Sequence, residues 1–255
     1  MESPLFKAIL AVLLICMLHS ALDQSEALAD DLLKIYYEQN AQVELINSEG
    51  SRVLIDVHDP NALSSPPTVN DVLLTTHNHG DHRRLDFVKS FPGKQIDVKT
   101  GELKFKGITI RSIASAHNEG DDFREENGTN YIFIVDIAGL RVAHFGDIGQ
   151  TALTPEQLKI LGKVDIAITQ LANPYSDMTT ANKKGFNLMD QIKPKIIIPT
   201  HIFESACAKI AAEKWIGYNS YKKYLSCNIE NLPESTTIIF MGSNANIIKL
   251  PYSNL

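Results

Sequence analysis

The chain has 255 residues, 44% of them hydrophobic, and a formal net charge of −6. That is enough apolar material for a substantial core, and the length fits one larger domain better than two small ones. Lysines and arginines are scattered rather than clustered, so no broad cationic face exists for a phosphate backbone and nucleic acid is a disfavoured partner.

The chain opens with Lys7, an eleven-residue apolar run from Ala8 to Leu18, and a more polar stretch ending in Ala27-Leu28-Ala29. This is the layout of a secretory signal peptide. Residues 1–29 are read as that leader and 30–255 as a single mature domain, secreted or periplasmic. A buried N-terminal helix is the competing reading. Eleven residues fall short of the roughly 20 that span a bilayer, so no stable membrane span is expected in the mature chain. Removing the leader takes Cys16 with it. Cys207 and Cys227 then remain, either bridged or as two buried thiols, and their spacing leaves both open. Asn127-Gly128-Thr129 matches a glycosylation acceptor, but before a strand-like run Asn-Gly reads better as a turn.

Beyond the leader, Asp30 to Gln39 shows a helix-like pattern, and Val43 to Ile46 with Val53 to Asp56 reads as a strand pair around Asn47-Ser48-Glu49-Gly50. Further strands are expected at Val72 to Thr76, Ile108 to Ser112, Tyr131 to Ile137, Arg141 to Phe145, Ile166 to Ile168, Ile196 to Pro199 and Thr237 to Met241. Helices are expected at Arg83 to Ser90, Pro155 to Leu161, Thr180 to Ile192 and Ala206 to Ile216. In Thr154-Pro155-Glu156-Gln157 a capping residue precedes a proline at the first helical position, which marks a secure helix start. A meander of strands followed by alternating strands and helices implies sheets packed together and covered by helices, with many strand ends along one edge.

The densest chemistry is His77-Asn78-His79-Gly80-Asp81-His82, directly after the apolar run Val72 to Thr76. Imidazole nitrogen and carboxylate oxygen are the donors that hold zinc and similar cations. His77 and His79, two apart in extended backbone, project to one side, and Asp81 and His82 face a second point. Gly80 is expected to permit the turn. The spacing suggests two metals. A histidine-rich surface loop is the bland alternative, disfavoured because the grouping is interior and has partners downstream. Those partners are His117, Asp147 and His201, each at the end of an apolar segment.

The pattern His77-x-His79-x-Asp81-His82, then His117, Gly146-Asp147 and His201, resembles the metallo-β-lactamase-fold superfamily of metal-dependent hydrolases across essentially the whole mature chain. The stretches around His144-Phe145-Gly146-Asp147 and Pro194 to His201 are similar to its ascorbate-6-phosphate lactonase-like and N-acylphosphatidylethanolamine phospholipase D-like branch. The resemblance implies an α+β fold, an αββα sandwich of two mixed sheets flanked by helices, with the site at one edge. It further implies that His77, His79 and His117 hold one metal, Asp81, His82 and His201 the other, and that Asp147 bridges them. The first hairpin departs from that branch, with Gln39-Asn40-Ala41-Gln42 where a Gly-His pair is common.

The expected activity is hydrolysis, enzyme class 3, by a hydroxide bound at a binuclear centre, acting on an ester, lactone or phosphodiester of a small molecule. Zinc is the default ion, with manganese or iron compatible with the same donors. Asp81 is assigned a catalytic role, accepting a hydrogen bond from the attacking hydroxide. Two alternatives stand beside this: an iron-dependent sulfur-oxygenating enzyme on the same fold, and a catalytically silent metal-binding module. Among secondary candidates, Asp56 is expected to orient a ligand histidine. His144 is expected to be packed or to support a ligand. His58 reads as a solvent-exposed turn residue, and Asn118-Glu119-Gly120 and Asn173-Pro174-Tyr175 as pocket-lining guesses.

Overall fold

The computed structural model describes residues 31–121, 123, 128–202 and 205–250. The leader reading and Asn127 of the acceptor triplet lie outside the described residues. No helix among the described residues is long and apolar enough to cross a membrane.

The first described element corrects the helix expected at Asp30 to Gln39. Residues Leu33–Tyr37 form a strand, β1, with alternating burial. Leu33, Ile35 and Tyr37 all enter the core between the sheets, a period of two that a helix cannot satisfy. The expected hairpin follows as β2 (Val43–Ile46) and β3 (Arg52–Ile55). Its turn is closed by Asn47 Oδ1, which accepts from Ser51 N at 2.8 Å, and by Gly50 at φ +78°. β4 (Asp71–Thr75) then runs parallel to β3 and leads into the histidine motif.

The middle of the chain supplies a short helix α1 (Leu85–Ser90) and the strands β5 (Lys94–Asp97), β6 (Gly101–Phe105), β7 (Ile108–Ser115), β8 (Asn130–Ile137) and β9 (Leu140–His144). Next come α2 (Pro155–Leu161), β10 (Ile166–Gln170), α3 (Lys184–Ile192), β11 (Ile196–Thr200) and α4 (Ser205–Trp215). The described fold closes with β12 (Gly217–Asn219), β13 (Leu225–Cys227) and β14 (Thr237–Phe240). The start of α2 carries the full capping box, with Gln157 N donating to Thr154 Oγ1 and Thr154 N donating to Gln157 Oε1. α3 begins four residues later than Thr180, because Asn182 Oδ1 accepts from Thr179 N and Lys184 N and holds a turn there.

Two mixed sheets result. One has six strands in the order β13-β1-β2-β3-β4-β5, the other eight in the order β12-β14-β11-β10-β9-β8-β7-β6. Alternation along each strand explains how they stack. Val53, Ile55, Val72 and Leu74 of the first sheet meet Phe133, Val135, Ile166 and Ile198 of the second between the layers. Leu54 and Leu73 point outward to Phe87, Val88 and Phe91 around α1. Ile134, Ala167 and Ile197 point outward to Leu161, Leu188 and Trp215 on the other three helices. This is the expected αββα sandwich. Cys207 sits in that outer layer and Cys227 between the sheets, so they are not bridged to each other. Burial alone pushes the Cys227 thiol up to about 12.

Candidate metal centre

β4, β7, β9, β10 and β11 all end at one edge of the sandwich, and β8, antiparallel to β7 and β9, begins there. His77 follows β4, His117 follows β7 on a neighbouring turn, Asp147 follows β9, and His201 follows β11. The seven residues expected to form a site are brought together. Nitrogen and oxygen atoms of His77, His79 and His117 lie within 4.8 Å of one another, as do those of His77, His82 and Asp147, and those of Asp81, His82 and His201.

The turn carrying the first four donors is built by His79, whose carbonyl accepts from His82 N at 3.0 Å and Arg83 N at 2.8 Å. Arg83 then anchors the turn to Asp97 and to Asn78 Oδ1. Gly80 has open space around it and no positive φ, so the turn does not require glycine there, contrary to expectation. The glycine that the geometry does require is Gly146, at φ +55°. A Cβ there would collide with Asn130 Oδ1 and Thr76 Oγ1.

His77 and His82 each have one nitrogen committed to the scaffold. Thr76 Oγ1 donates to Asp56 Oδ2 at 2.7 Å and lies 3.0 Å from His77 Nδ1, leaving His77 Nε2 to face His79 Nδ1 at 3.1 Å. His82 Nδ1 sits 2.8 Å from Asp56 Oδ2, which directs its Nε2 inward. Asp56 therefore supports two of the donors, as expected. His144 is not among the converging donors. Its Nε2 donates to Ala41 O at 3.0 Å, and its Nδ1 accepts from Gly146 N at 3.1 Å. The hairpin that lacks the Gly-His pair thus still reaches the site, through a backbone carbonyl.

Asp147 occupies the middle. Its Oδ1 lies 3.3 Å from His82 Nε2 and 3.4 Å from His201 Nδ1, and its Oδ2 lies 4.0 Å from His77 Nε2 and 3.9 Å from His117 Nε2. One oxygen faces each half of the cluster. Burial resists ionisation of Asp147, yet His82 overrides it and holds the carboxyl well below the usual range. Burial pushes the His77 imidazole down to about 3. For Asp81 the dominant influence is the His201 contact, 3.5 Å from Nε2 to Oδ2, which keeps it ionised. His79 and Asp81 are the solvent-facing members, Asp81 with 46% of its side chain exposed, whereas His77, His82, His117, Asp147 and His201 are buried.

The cluster fits a cation. His82 Nε2, His117 Nε2 and Asp147 Oδ1 are buried and make no hydrogen bond, so these donors face one another uncommitted to the scaffold, as coordination of a cation requires.

Sequence reasoning missed two residues that hold the centre in shape. Asn130 is fully buried, donates to Ser115 Oγ and Phe145 O, and accepts from Asp147 N at 3.0 Å. Asn173 does more than line the pocket: its Nδ2 donates to Asp147 Oδ2 at 3.0 Å and to Gln170 Oε1 at 2.7 Å. Tyr175, two residues on, is 77% exposed at the rim, and Glu119 reaches Lys184 Nζ at 3.1 Å. His58 is partly buried rather than exposed. Its backbone N–H donates to Gln42 Oε1.

Known proteins resemble this chain in sequence and in fold. A UPF0173 metal-dependent hydrolase of Thermococcus onnurineus is 22% identical over 195 residues, covering 67% of this chain and 84% of the relative. One from Archaeoglobus fulgidus is 29% identical over 185 residues, covering 60% and 77%. A solved Thermotoga maritima structure, assigned to the Zn-dependent hydrolases of the metallo-β-lactamase superfamily, superposes with a TM-score of 0.61 at 22% identity, covering 82% of this chain and 98% of that one. A Parabacteroides distasonis structure, assigned as a metal-dependent hydrolase, gives 0.53 at 20% identity, covering 70% and 86%. At such identities the structural likeness speaks for the fold. Residues 35–201, from β1 to the last of the converging histidines, match the family model described as the beta-lactamase superfamily domain, and the chain belongs to that family.

Proposed function

We propose that this protein is a metal-dependent hydrolase acting on an ester, lactone or phosphodiester of a small molecule. His77, His79 and His117 hold one divalent cation, Asp81, His82 and His201 hold a second, and Asp147 lies between. The observation that carries this is the convergence of buried, unpartnered His82 Nε2, His117 Nε2 and Asp147 Oδ1 on a space ringed by three overlapping donor groups. Bound there, two such cations would lower the pKa of a coordinated water from about 15.7 toward neutrality and would stabilise the negative charge that develops on the substrate.

The side chains then have distinct tasks. Asp147 offers one oxygen to each half, and Asn173 fixes its orientation through Oδ2. Asp56 and Thr76 lock the imidazole planes of His82 and His77. His79 and Asp81 form the open side, where substrate and solvent enter. The ionised Asp81 carboxylate would accept a hydrogen bond from the attacking water and aim it. An imidazole and carboxylate donor set suits zinc first, with manganese or iron admissible. The proposal extends to residues 1–29 as a cleaved signal peptide, which N-terminal sequencing of protein from its native host checks.

The test is elemental analysis of purified native protein, followed by a panel of lactones, phosphodiesters and thioesters before and after chelation. Two equivalents of metal and chelator-sensitive hydrolysis are expected. Full activity in metal-free protein would end the proposal.

A further inference from the structure

His201 has a backbone conformation that histidine seldom adopts. Its φ is +45°, in the left-handed region that a Cβ disfavours, and such a conformation persists only where the surroundings over-determine it. The residue follows β11 directly, so what fixes the end of β11 fixes where the imidazole goes.

The ladder between β11 and β14 pairs Ile196 with Thr237 and Ile197 with Ile238, and β14 ends at Phe240. Beyond it the chain turns through a short 3-10 segment, Gly242–Asn246. From that turn Asn244 sends its amide back into the fold. Asn244 Nδ2 donates to Pro199 O at 2.8 Å and to the Tyr37 hydroxyl at 3.0 Å, and Tyr37 itself donates to Asn40 O at 2.6 Å. Asn244 is 6% exposed, so the amide is withdrawn from water and committed to these partners. The turn is seated tightly on Tyr37. Gly242 has φ +55°, and a Cβ there would come within 3.0 Å of Tyr37 Cδ1.

We infer that Asn244 is a positioning residue for the second half of the metal centre: by tying Pro199 to Tyr37 it holds the end of β11 so that His201 faces Asp81 and Asp147. The family match ends at His201, so this brace comes from the part of the chain beyond it. One side chain joins the hairpin β1–β2, the end of β11 and the segment after β14. The donors His77, His79 and His117 stand on other elements and do not depend on it. The inference rests on the proposed assignment of His201 to a cation, and it makes a claim that assignment does not: loss of Asn244 acts on one half of the centre alone.

Zinc titration of metal-stripped full-length protein, followed by calorimetry and elemental analysis, tests it with the Asn244→Ala variant. The wild type is expected to take up two zinc ions per chain. Asn244→Ala is expected to keep one at its wild-type affinity and to bind the other at least tenfold more weakly. A crystal structure of metal-free Asn244→Ala should show His201 relaxed from φ near +45° and its imidazole withdrawn from Asp147. Should that variant fail to fold, Tyr37→Phe removes the hydroxyl on which the amide rests and is expected to weaken the same ion by a smaller factor. Unchanged affinity for both ions, equal weakening of both, or an unmoved His201 in the variant crystal overturns the brace. A single zinc in the wild type overturns the binuclear reading instead, and the His201 backbone in the metal-free crystal still decides the brace.

Discussion

Asp56 Oδ2 stands 2.8 Å from His82 Nδ1, and neither residue has any solvent exposure. Burial opposes a charge on His82, but Asp56 and Asp147 together outweigh it and push the imidazole up to about 10 in the metal-free protein. The folded value exceeds the ordinary 6.5, so this proton stabilises the metal-free fold fully below pH 6.5 and progressively less toward pH 10. A cation approaching Nε2 must displace it. Zinc uptake at neutral pH is therefore expected to release a proton from His82, and affinity should rise with pH. Calorimetry in buffers of different ionisation enthalpy measures the release. Asp56→Asn should reduce it and weaken zinc binding by about 10- to 100-fold. Equal proton release in wild type and variant would contradict this account.

The two oxygens of Asp147 serve different halves of the cluster, which separates two variants. Asp147→Ala is expected to lose both cations, whereas His117→Ala should lose only the one shared with His77 and His79. Elemental analysis after gel filtration distinguishes them. Retention of both ions by Asp147→Ala would remove that residue from the bridging role.

Gly146 gives a purely steric prediction. Its φ of +55° costs a non-glycine residue about 1–2 kcal/mol, and a Cβ would also displace Asn130 Oδ1 and Thr76 Oγ1. Those two groups hold Asp147 N and His77 Nδ1. Gly146→Ala should therefore lower stability and metal affinity together, by thermal melting and zinc titration respectively. Gly80→Ala, in open space at negative φ or extended backbone, should leave both nearly unchanged.

What the sequence made legible follows from where each signal sits. The donors cluster in six consecutive positions or end strongly apolar runs, so both their chemistry and their position at strand ends could be read from residue types. The central strands β3, β4, β8, β10 and β11 are buried on both faces and appear as continuous apolar runs. The strands β5, β6, β12 and β13 were not anticipated. β5 and β6 are edge strands rich in lysine and polar residues, and β12 and β13 are three residues long, so none carries enough apolar pattern to stand out. β1 reads as a helix in the sequence because Asp31-Leu32-Leu33 and Tyr36-Tyr37 mimic helical spacing, and only pairing with β2 and β13 selects the alternate set. Asn130, Asn173 and Asn244 escaped for another reason. An amide acts through partners far away in the chain, and no local spacing announces it.

Asn130 tests that last point. Its amide contacts Ser115 Oγ, Phe145 O and Asp147 N with no solvent exposure. Asn130→Ala strands Phe145 O and Asp147 N in the interior, at a cost of about 1–3 kcal/mol for each buried group left unsatisfied, while Ser115 Oγ keeps its bond to the residue 130 carbonyl. The variant should melt earlier and bind metal more weakly, because the turn that presents Asp147 loses its anchor. Asn130→Asp keeps the acceptor for Asp147 N but loses the donor to Phe145 O, and should fall between alanine and wild type in both measurements.

At the opposite edge of the first sheet, a second buried charge cluster allows stability and function to be separated. Arg52, 4% exposed, contacts Glu44 Oε2 at 3.2 Å and Asp71 Oδ2 at 2.6 Å, and donates to Ser65 O and Pro66 O. Asp71 is the first residue of β4, and His77 lies just past its other end. Arg52→Met would leave two carboxylates buried without their cation, a loss of about 3–5 kcal/mol. For a domain of this size that corresponds to a melting temperature lower by on the order of 10 °C. The metal donors touch none of these groups, so zinc stoichiometry and hydrolysis measured well below the melting point should match the wild type. A fall in zinc affinity at full foldedness would show that strain at the start of β4 is transmitted along the strand to His77.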